Sequence, residues 1–239
     1  MRSGPVSRDF DGVDDSVDFG DTALLNGITA LSCVGWLFID ALPTNNNNIS
    51  VVRKDIQFTF IQVNSSAAMG GNGILTSFWN TAGVIKTQRV PVGFSTNKWY
   101  RYATRWSASE NSGVPQYSLD GSKFANYTSG GALLPSLTTG GTVALRFGAT
   151  ETNTEDYNGR LSSVQYFTSY LTDGEVAQAF AAPGSVQRNL LAFWRLQGSP
   201  VEPNWTLQQL PGTVSGSTVS PVDPPVSHLF TISSPGHVV

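Results

Sequence analysis

The segment from Leu31 to Ile39 carries apolar side chains on both faces of an extended chain. Successive side chains of a strand point to opposite sides, so Leu31, Cys33, Gly35, Leu37 and Ile39 share one face and Val34, Trp36 and Phe38 the other. A half-buried strand alternates apolar with polar, whereas one covered above and below does not. This strand therefore belongs in the middle of a sheet with material packed on both sides.

Companion strands are easy to place. Extended signals recur at Val17–Phe19, Ile56–Val63, Ile74–Trp79, Trp99–Trp106, Tyr117–Leu119, Val143–Phe147, Leu161–Phe167 and Leu190–Leu196. Turn-forming runs separate them, among them Asp11–Asp15, Asn45–Asn48 and Asp120-Gly121, the last a strong hairpin dipeptide. Short strands at regular spacing predict a two-sheet antiparallel sandwich. One helix signal stands out. Thr172-Asp173-Gly174-Glu175 is a capping box, Val176, Ala177, Ala179 and Phe180 give an apolar side, and Pro183-Gly184 stops it. Charged residues are 13% of the chain, about half the usual share, and Gly, Ser, Thr and Asn replace them. The 239 residues suit one large β domain or two small domains. From Pro211 onward Pro, Ser and Val dominate, and prolines at 221, 224, 225 and 235 obstruct regular pairing. The expected organisation is a sandwich over 1–210 followed by an extended arm over 211–239, whose Val, Leu, Phe and Ile favour docking over free disorder.

Five segments, in order, resemble the laminin-G-like branch of the concanavalin A-like superfamily. They are FDGVDDSVDFGD (Phe10–Asp21), ALSCVGWLFIDALP with Trp36 in the strand-tryptophan position, Lys98–Ala103 followed by Tyr117–Gly121, LRFGA (Leu145–Ala149), and YNGRLSSVQYFTSYLTDGEVAQAF (Tyr157–Phe180). The resemblance implies an all-β fold: a two-sheet antiparallel jelly-roll sandwich with one short helix and an extended C-terminal arm. It does not fix a ligand, because the fold hosts lectins, adhesion modules, glycosidases and structural proteins. Tyr100 stands where the family often has histidine, and Ser162 and Ser163 stand where acids usually follow the Gly-Arg pair. Both departures weaken a family-type calcium or sugar site. NLLAFWRLQGSPVEPN (Asn189–Asn204) with its Pro-Val arm is similar to laminin-G-like proteins of tailed-phage virions. That likeness implies a non-enzymatic capsid-surface decoration protein that stabilises the shell or mediates adhesion. It would be made in a bacterial host cytoplasm and displayed on the virion surface. Its partners would be the major capsid protein or other virion proteins, with surface glycans and a homo-oligomer as further options. A carbohydrate-binding lectin-like module is the alternative, and a glycosidase the third reading.

Candidate chemistry is sparse. A net charge of -3 without a basic block lacks the footprint of a nucleic-acid binder. No stretch is apolar and long enough to span a membrane, and the N-terminus lacks a signal-like apolar run, which points to cytoplasmic synthesis. On that reading the sequons at Asn48, Asn64, Asn126 and Asn204 are coincidental. Cys33 is the one cysteine, so no internal disulfide or cysteine metal cluster forms, and it reads as a buried small hydrophobe. Glu151 and Glu155 invite comparison with paired glycosidase carboxylates, but Asn153 takes the middle position. On a strand, positions four apart lie about 13 Å from one another, against about 5 Å for a retaining pair. Asp11, Asp14, Asp15 and Asp18 form an acidic cluster. Of these, Asp11, Asp14 and Asp15 are the metal candidates, calcium being the ion such oxygens suit, although adjacent aspartates also serve as turn formers. No other cofactor is expected: His228 and His237 lie in the arm, without a serine elbow, zinc spacing or phosphate loop. Trp36, Trp99 and Trp194 sit within strand patterns and are expected in the core. Trp79, Trp106 and Trp205 lie at strand ends or loops and are the expected surface for a sugar or a protein partner.

Overall fold

A computed structural model describes residues 7–21, 23–43, 48–54, 58–64, 73–79, 85–90, 93–127, 136, 143–150, 155–196, 201–206 and 211–220, with 58–64, 73–79, 85–90 and 202 described through the backbone alone. In chain order the strands are β1 Ser7–Asp11, β2 Ser16–Asp18, β3 Ala30–Ile39, β4 Asn48–Lys54, β5 Phe58–Asn64, β6 Gly73–Trp79, β7 Ile85–Val90 and β8 Lys98–Ser107. There follow β9 Gln116–Leu119, β10 Ala125–Asn126, β11 Leu145–Phe147, β12 Asn158–Phe167, the helix α1 Asp173–Ala181, β13 Leu190–Trp194, β14 Val201–Glu202, β15 Gly212–Ser215 and β16 Thr218–Ser220.

They form two sheets. One runs β10-β9-β8-β3-β12-β1-β16, with β13 also on β12, and the other runs β14-β15-β2-β11-β4-β5-β6-β7. The described pairings are antiparallel. This is the expected all-β two-sheet sandwich with one short helix. β3 lies in the middle of its sheet, paired along its whole length to β8 and on its other side to β12. Its two apolar faces have different destinations. Leu31, Cys33, Leu37 and Ile39 join Val17, Tyr102, Trp106, Phe147 and Trp194 between the sheets. Val34 and Trp36 join Ala103, Phe167, Val176, Ala179 and Phe180 beneath α1. At the centre of the inner layer, the Trp194 ring meets Phe19 at 4.3 Å, Phe147 at 5.3 Å and Tyr166 at 5.9 Å, contacts that add to plain area burial.

Two devices shape the first sheet. β12 changes partner midway: its first half pairs β1 and its second half β13, with Ser163 at φ 53° in the register shift between Ser162 and Gln165. Gly159 is needed by close approach, since a Cβ there would overlap the Phe38 carbonyl oxygen, which also accepts from the Tyr157 hydroxyl at 2.6 Å. The helix starts as its sequence dictates. Thr172 Oγ1 accepts from Glu175 N at 3.2 Å and Glu175 accepts from Thr172 N at 2.7 Å.

The proline-rich stretch does not leave the domain at residue 211. β15 pairs β2 and β16 pairs β1, so residues 212–220 contribute a strand to each sheet. Buried Arg8 donates to Ser217 O at 3.0 Å and Oγ at 3.1 Å, tying this segment to the first strand. The physical reason is local. Thr213, Val214, Thr218 and Val219 are strand formers, and the obstructing prolines begin only at Pro221. Residues 221–239, with His228 and His237, lie outside the described residues.

Candidate functional site

A cleft of ≈ 870 Å³ lies between α1 and the outer face of the first sheet. Its floor comes from β3, β8 and β9, through Trp36, Trp99, Arg101 and Ser118. One wall is the helix, through Asp173, Val176 and Phe180, and the other is the turn from Asp120 to Phe124. Strand parity puts the floor residues together. Trp36 stands opposite Arg101 and Phe38 opposite Trp99, so the two indoles are diagonal neighbours on one face, about 7–8 Å apart along the sheet. Phe38 and Trp99 meet edge to face at 5.3 Å, as do Trp36 and Phe180 at 6.1 Å.

The rim is the Asp-Gly turn that the sequence marks. Asp120 at φ 54° and Gly121 at φ 74° are both left-handed, the requirement of a tight hairpin turn, and Ser122 N donates to Leu119 O at 3.0 Å. Asp120 is held from three sides: Arg101 N donates to Oδ1 at 3.1 Å, Lys98 to Oδ2 at 3.0 Å, and the Arg101 guanidinium to its backbone oxygen at 2.7 Å. The helix wall is fixed by Arg105, nearly buried, which donates to Leu171 O at 2.8 Å and Asp173 at 2.7 Å. The same guanidinium lies 3.6 Å from the centre of the Phe124 ring and 4.5 Å from that of Tyr170, so one cation braces both walls.

Two polar atoms of the floor lack partners. The indole nitrogens of Trp36 and Trp99 are buried with no hydrogen-bond acceptor among the described residues. An indole N–H can only donate, and a buried donor left unmade costs about 1–3 kcal/mol. Trp36 is only 6% exposed, so the cost falls on a residue that is otherwise core.

The acidic cluster is a separate place. Carboxylate oxygens of Asp11, Asp14 and Asp15 lie within 4.8 Å of one another, Asp11 and Asp14 exposed and Asp15 buried. Burial raises the Asp15 carboxyl above its ordinary value, with the charges of Asp11 and Asp14 adding to it and the Asp11 amide opposing. Asp156 belongs to this corner although the sequence did not mark it. Its pKa is raised by burial and by the charges of Asp14 and Asp11, and its Oδ1 is buried without a partner among the described residues. Asp18 does not belong, since Arg146 holds it at 2.8 Å. The corner is closed by the turn at Gly216, where a Cβ would overlap Asp15 Oδ1 and φ is +70°. Part of the cluster does turn-forming work: Asp11 Oδ1 accepts from Val13 N at 2.8 Å and Asp15 Oδ2 from Asp11 N at 2.6 Å. The remaining carboxylate oxygens are of the kind a hard cation such as calcium takes, though calcium wants about six to eight of them.

The tryptophans sort differently from the expectation. Trp106 is a core residue, fully buried, and not a surface platform. β8 continues to Ser107, and Trp106 shares the inward parity of Tyr100 and Tyr102. Trp99, expected in the core, is half-buried on the outward parity and forms the cleft floor, as does Trp36. Trp194 is core. Trp205 is exposed, with the Arg195 guanidinium 4.3 Å from its ring centre. Trp79 lies on β6, and its side chain is outside the described residues, as is Glu151. Glu155 is engaged structurally, accepting from Arg53 at 2.8 Å, Ser50 at 2.7 Å and Asn48 at 3.2 Å. Sequence reasoning missed Arg101, Lys123 and Phe124. The alternation of Trp99, Arg101 and Arg105 on one parity of β8 was the available signal for a polar outer face. Among the described residues no helix is long and apolar enough to cross a membrane.

No protein-family model matches the sequence, and no curated protein matches it. Solved structures do match in shape. A proposed carbohydrate-binding protein from Bacteroides ovatus superposes with a TM-score of 0.72 at 14% identity, covering 93% of this chain; the chain spans 61% of that protein's length. A heptameric SAP-like pentraxin from Limulus polyphemus superposes with a TM-score of 0.57 at 16% identity, covering 95% of this chain and 98% of its own. At these identities the likeness concerns the fold alone, and on that level this chain is a two-sheet antiparallel β-sandwich with one short helix.

Proposed function

We propose that this chain is a carbohydrate-binding module and that the cleft beside α1 is its saccharide site. The observation that carries this reading is a cleft floored by aromatic side chains, Trp99 half-buried with Trp36 and Phe180 beside it, and lined by the polar groups of Arg101, Ser118 and Asp120. A sugar ring offers a C–H face to half-buried Trp99 and hydroxyl groups to the polar side chains around it. The carbohydrate-binding description of the Bacteroides ovatus neighbour supports the same ligand class. The test is a glycan array with the full chain and with Trp99→Ala. A selective hit lost in the variant is expected, and a folded protein that binds no glycan overturns the reading.

Binding without cleavage completes the proposal. Glu155 is tied to Arg53, Ser50 and Asn48, an arrangement that supports anchoring over proton transfer. Release of reducing ends from a bound polysaccharide would sink this part. The capsid-decoration reading, with the virion surface as its location, rests on sequence likeness and draws no support from the structural neighbours. Incubation with purified phage particles decides it, co-sedimentation at stoichiometric occupancy being the result in its favour. Calcium at the acidic corner is carried as an expectation to be titrated.

A further inference from the structure

The cleft's charged groups are not evenly satisfied. Each acid lining it is already neutralised by a neighbour, Asp120 by Lys98 at 3.0 Å and Asp173 by Arg105 at 2.7 Å. The two bases lining it are not. Arg101 donates to a backbone oxygen and Lys123 is exposed, and neither has a carboxylate partner among the described residues. Both side chains are donor-only, so the cleft presents two cations without a carboxylate of the described residues to receive them. Net charge does not reveal this, because the chain as a whole is -3. The excess is local, made by pairing the cleft's acids and leaving its bases open.

We infer that the cleft selects an acidic saccharide, its carboxylate or sulfate group set against Arg101 and Lys123 and its ring against Trp99 and Phe180. This deepens the saccharide reading and rests on it. Arg101 is the stronger determinant: its guanidinium is positioned by the Asp120 carbonyl and backed by the Phe180 ring at 6.0 Å, and it offers a planar fork that fits an oxyanion. Lys123 is exposed and acts as a point charge. The aromatic floor keeps the ligand from being a bare anion, since inorganic sulfate would leave the ring surfaces uncovered.

The experiment uses the full chain and three immobilised polymers: polygalacturonate for carboxylate, dextran sulfate for sulfate, and dextran as neutral chain. Retention on one or both acidic polymers, weakened by salt, with none on dextran, is expected, and the retained polymer identifies the anionic group. Arg101→Gln should lower affinity about tenfold or more and Lys123→Gln by several-fold. Arg195→Gln removes the same charge outside the cleft and should change nothing. Equal, salt-insensitive binding of dextran and the acidic polymers overturns the inference while leaving saccharide binding intact. So does an Arg195→Gln loss as large as that of Arg101→Gln, which would mean bulk attraction. Retention on none of the polymers, with no glycan bound on the array, overturns both readings. Lys123 is exposed, so its variant keeps the test open should Arg101→Gln fail to fold.

Discussion

The cleft beside α1 and the acidic corner at Asp11–Asp15 have opposite deficits. The cleft has cations without a carboxylate partner among the described residues, the Arg101 guanidinium and the Lys123 ammonium. The corner gathers like charge: the carboxylates of Asp11, Asp14 and Asp15, with Asp156 beside them. Both are built from the same parts, a left-handed turn set against a sheet edge, Asp120-Gly121 in one and Gly216 in the other. What separates them is the bracing. Cleft acids are held by Lys98 and Arg105, whereas in the corner burial and like charge raise the Asp15 and Asp156 carboxyls. The same sandwich therefore carries a local excess of positive charge in one place and of negative charge in the other.

The largest effect should come from removing the closure of the corner. Truncation after Pro211 deletes β15 and β16, leaves buried Arg8 without Ser217, and uncovers Asp15. Hydrogen bonds to a charged group are worth about 1.5–3 kcal/mol, and a strand is lost from each sheet with them, so the truncated chain should lose its cooperative urea transition. Truncation after Ser220 should keep it. If both behave alike, the last two strands are not part of the sandwich.

Within the cleft, Trp36→Phe separates the ring from its donor. The aromatic contact with Phe180 is kept and the orphaned N–H disappears. Relief of the orphaned donor, about 1–3 kcal/mol, offsets the ring volume lost from a core position, so stability in denaturant should stay within about 1 kcal/mol of the unaltered chain. A loss well beyond the cost of the missing ring volume would show that the indole nitrogen already has a partner.

At the corner the sign is electrostatic. Asp15 and Asp156 have folded pKa values above the usual carboxylate value, so their ionisation opposes folding at neutral pH, and this opposition is relieved as pH falls through their raised values toward 3.8. Asp14→Asn removes a like charge from both and should stabilise the protein by about 0.5–1 kcal/mol at neutral pH. Should calcium bind here, it raises the melting temperature of the unaltered chain and has little effect on the variant. Isothermal titration with calcium checks this, and an equal response from both proteins removes the corner as the cation site.

Much of the frame was readable in the residues. The two-faced run Leu31–Ile39 marks the middle strand, Thr172–Glu175 marks the helix start, and Asp120-Gly121 marks a turn. β4 and β7 were not read as strands, because Ser50, Arg53 and Lys54 in one and Lys86, Gln88 and Arg89 in the other dilute the apolar signal. The site was less legible for a different reason. Alternation separates Trp99 from Trp106 by parity but does not say which parity meets a helix and which meets a second sheet. That depends on α1, whose landing place is fixed by Arg105 reaching Leu171 and Asp173, a contact 66–68 residues away in sequence.

The smallest effect tests whether the helix wall is set by its own cap or by the sheet. Glu175 is the cap's return acceptor and also takes two hydrogen bonds from Arg188 at 2.8 Å, and the Arg188 bonds above all bring its pKa down to about 2 from 4.5. A depressed carboxylate stabilises the fold fully above its unfolded value and loses that contribution as pH falls from about 4.5 to about 2. The group is partly solvated, so the contribution is about 0.5–1 kcal/mol, well below the full shift. Glu175→Gln keeps a cap acceptor while discarding the charge, and should flatten the acid limb of the stability curve in that window. Saccharide affinity should hardly move, because Arg105 still anchors Asp173. A large affinity loss in Glu175→Gln would mean that the cap, and not the β8 cation, sets the width of the cleft.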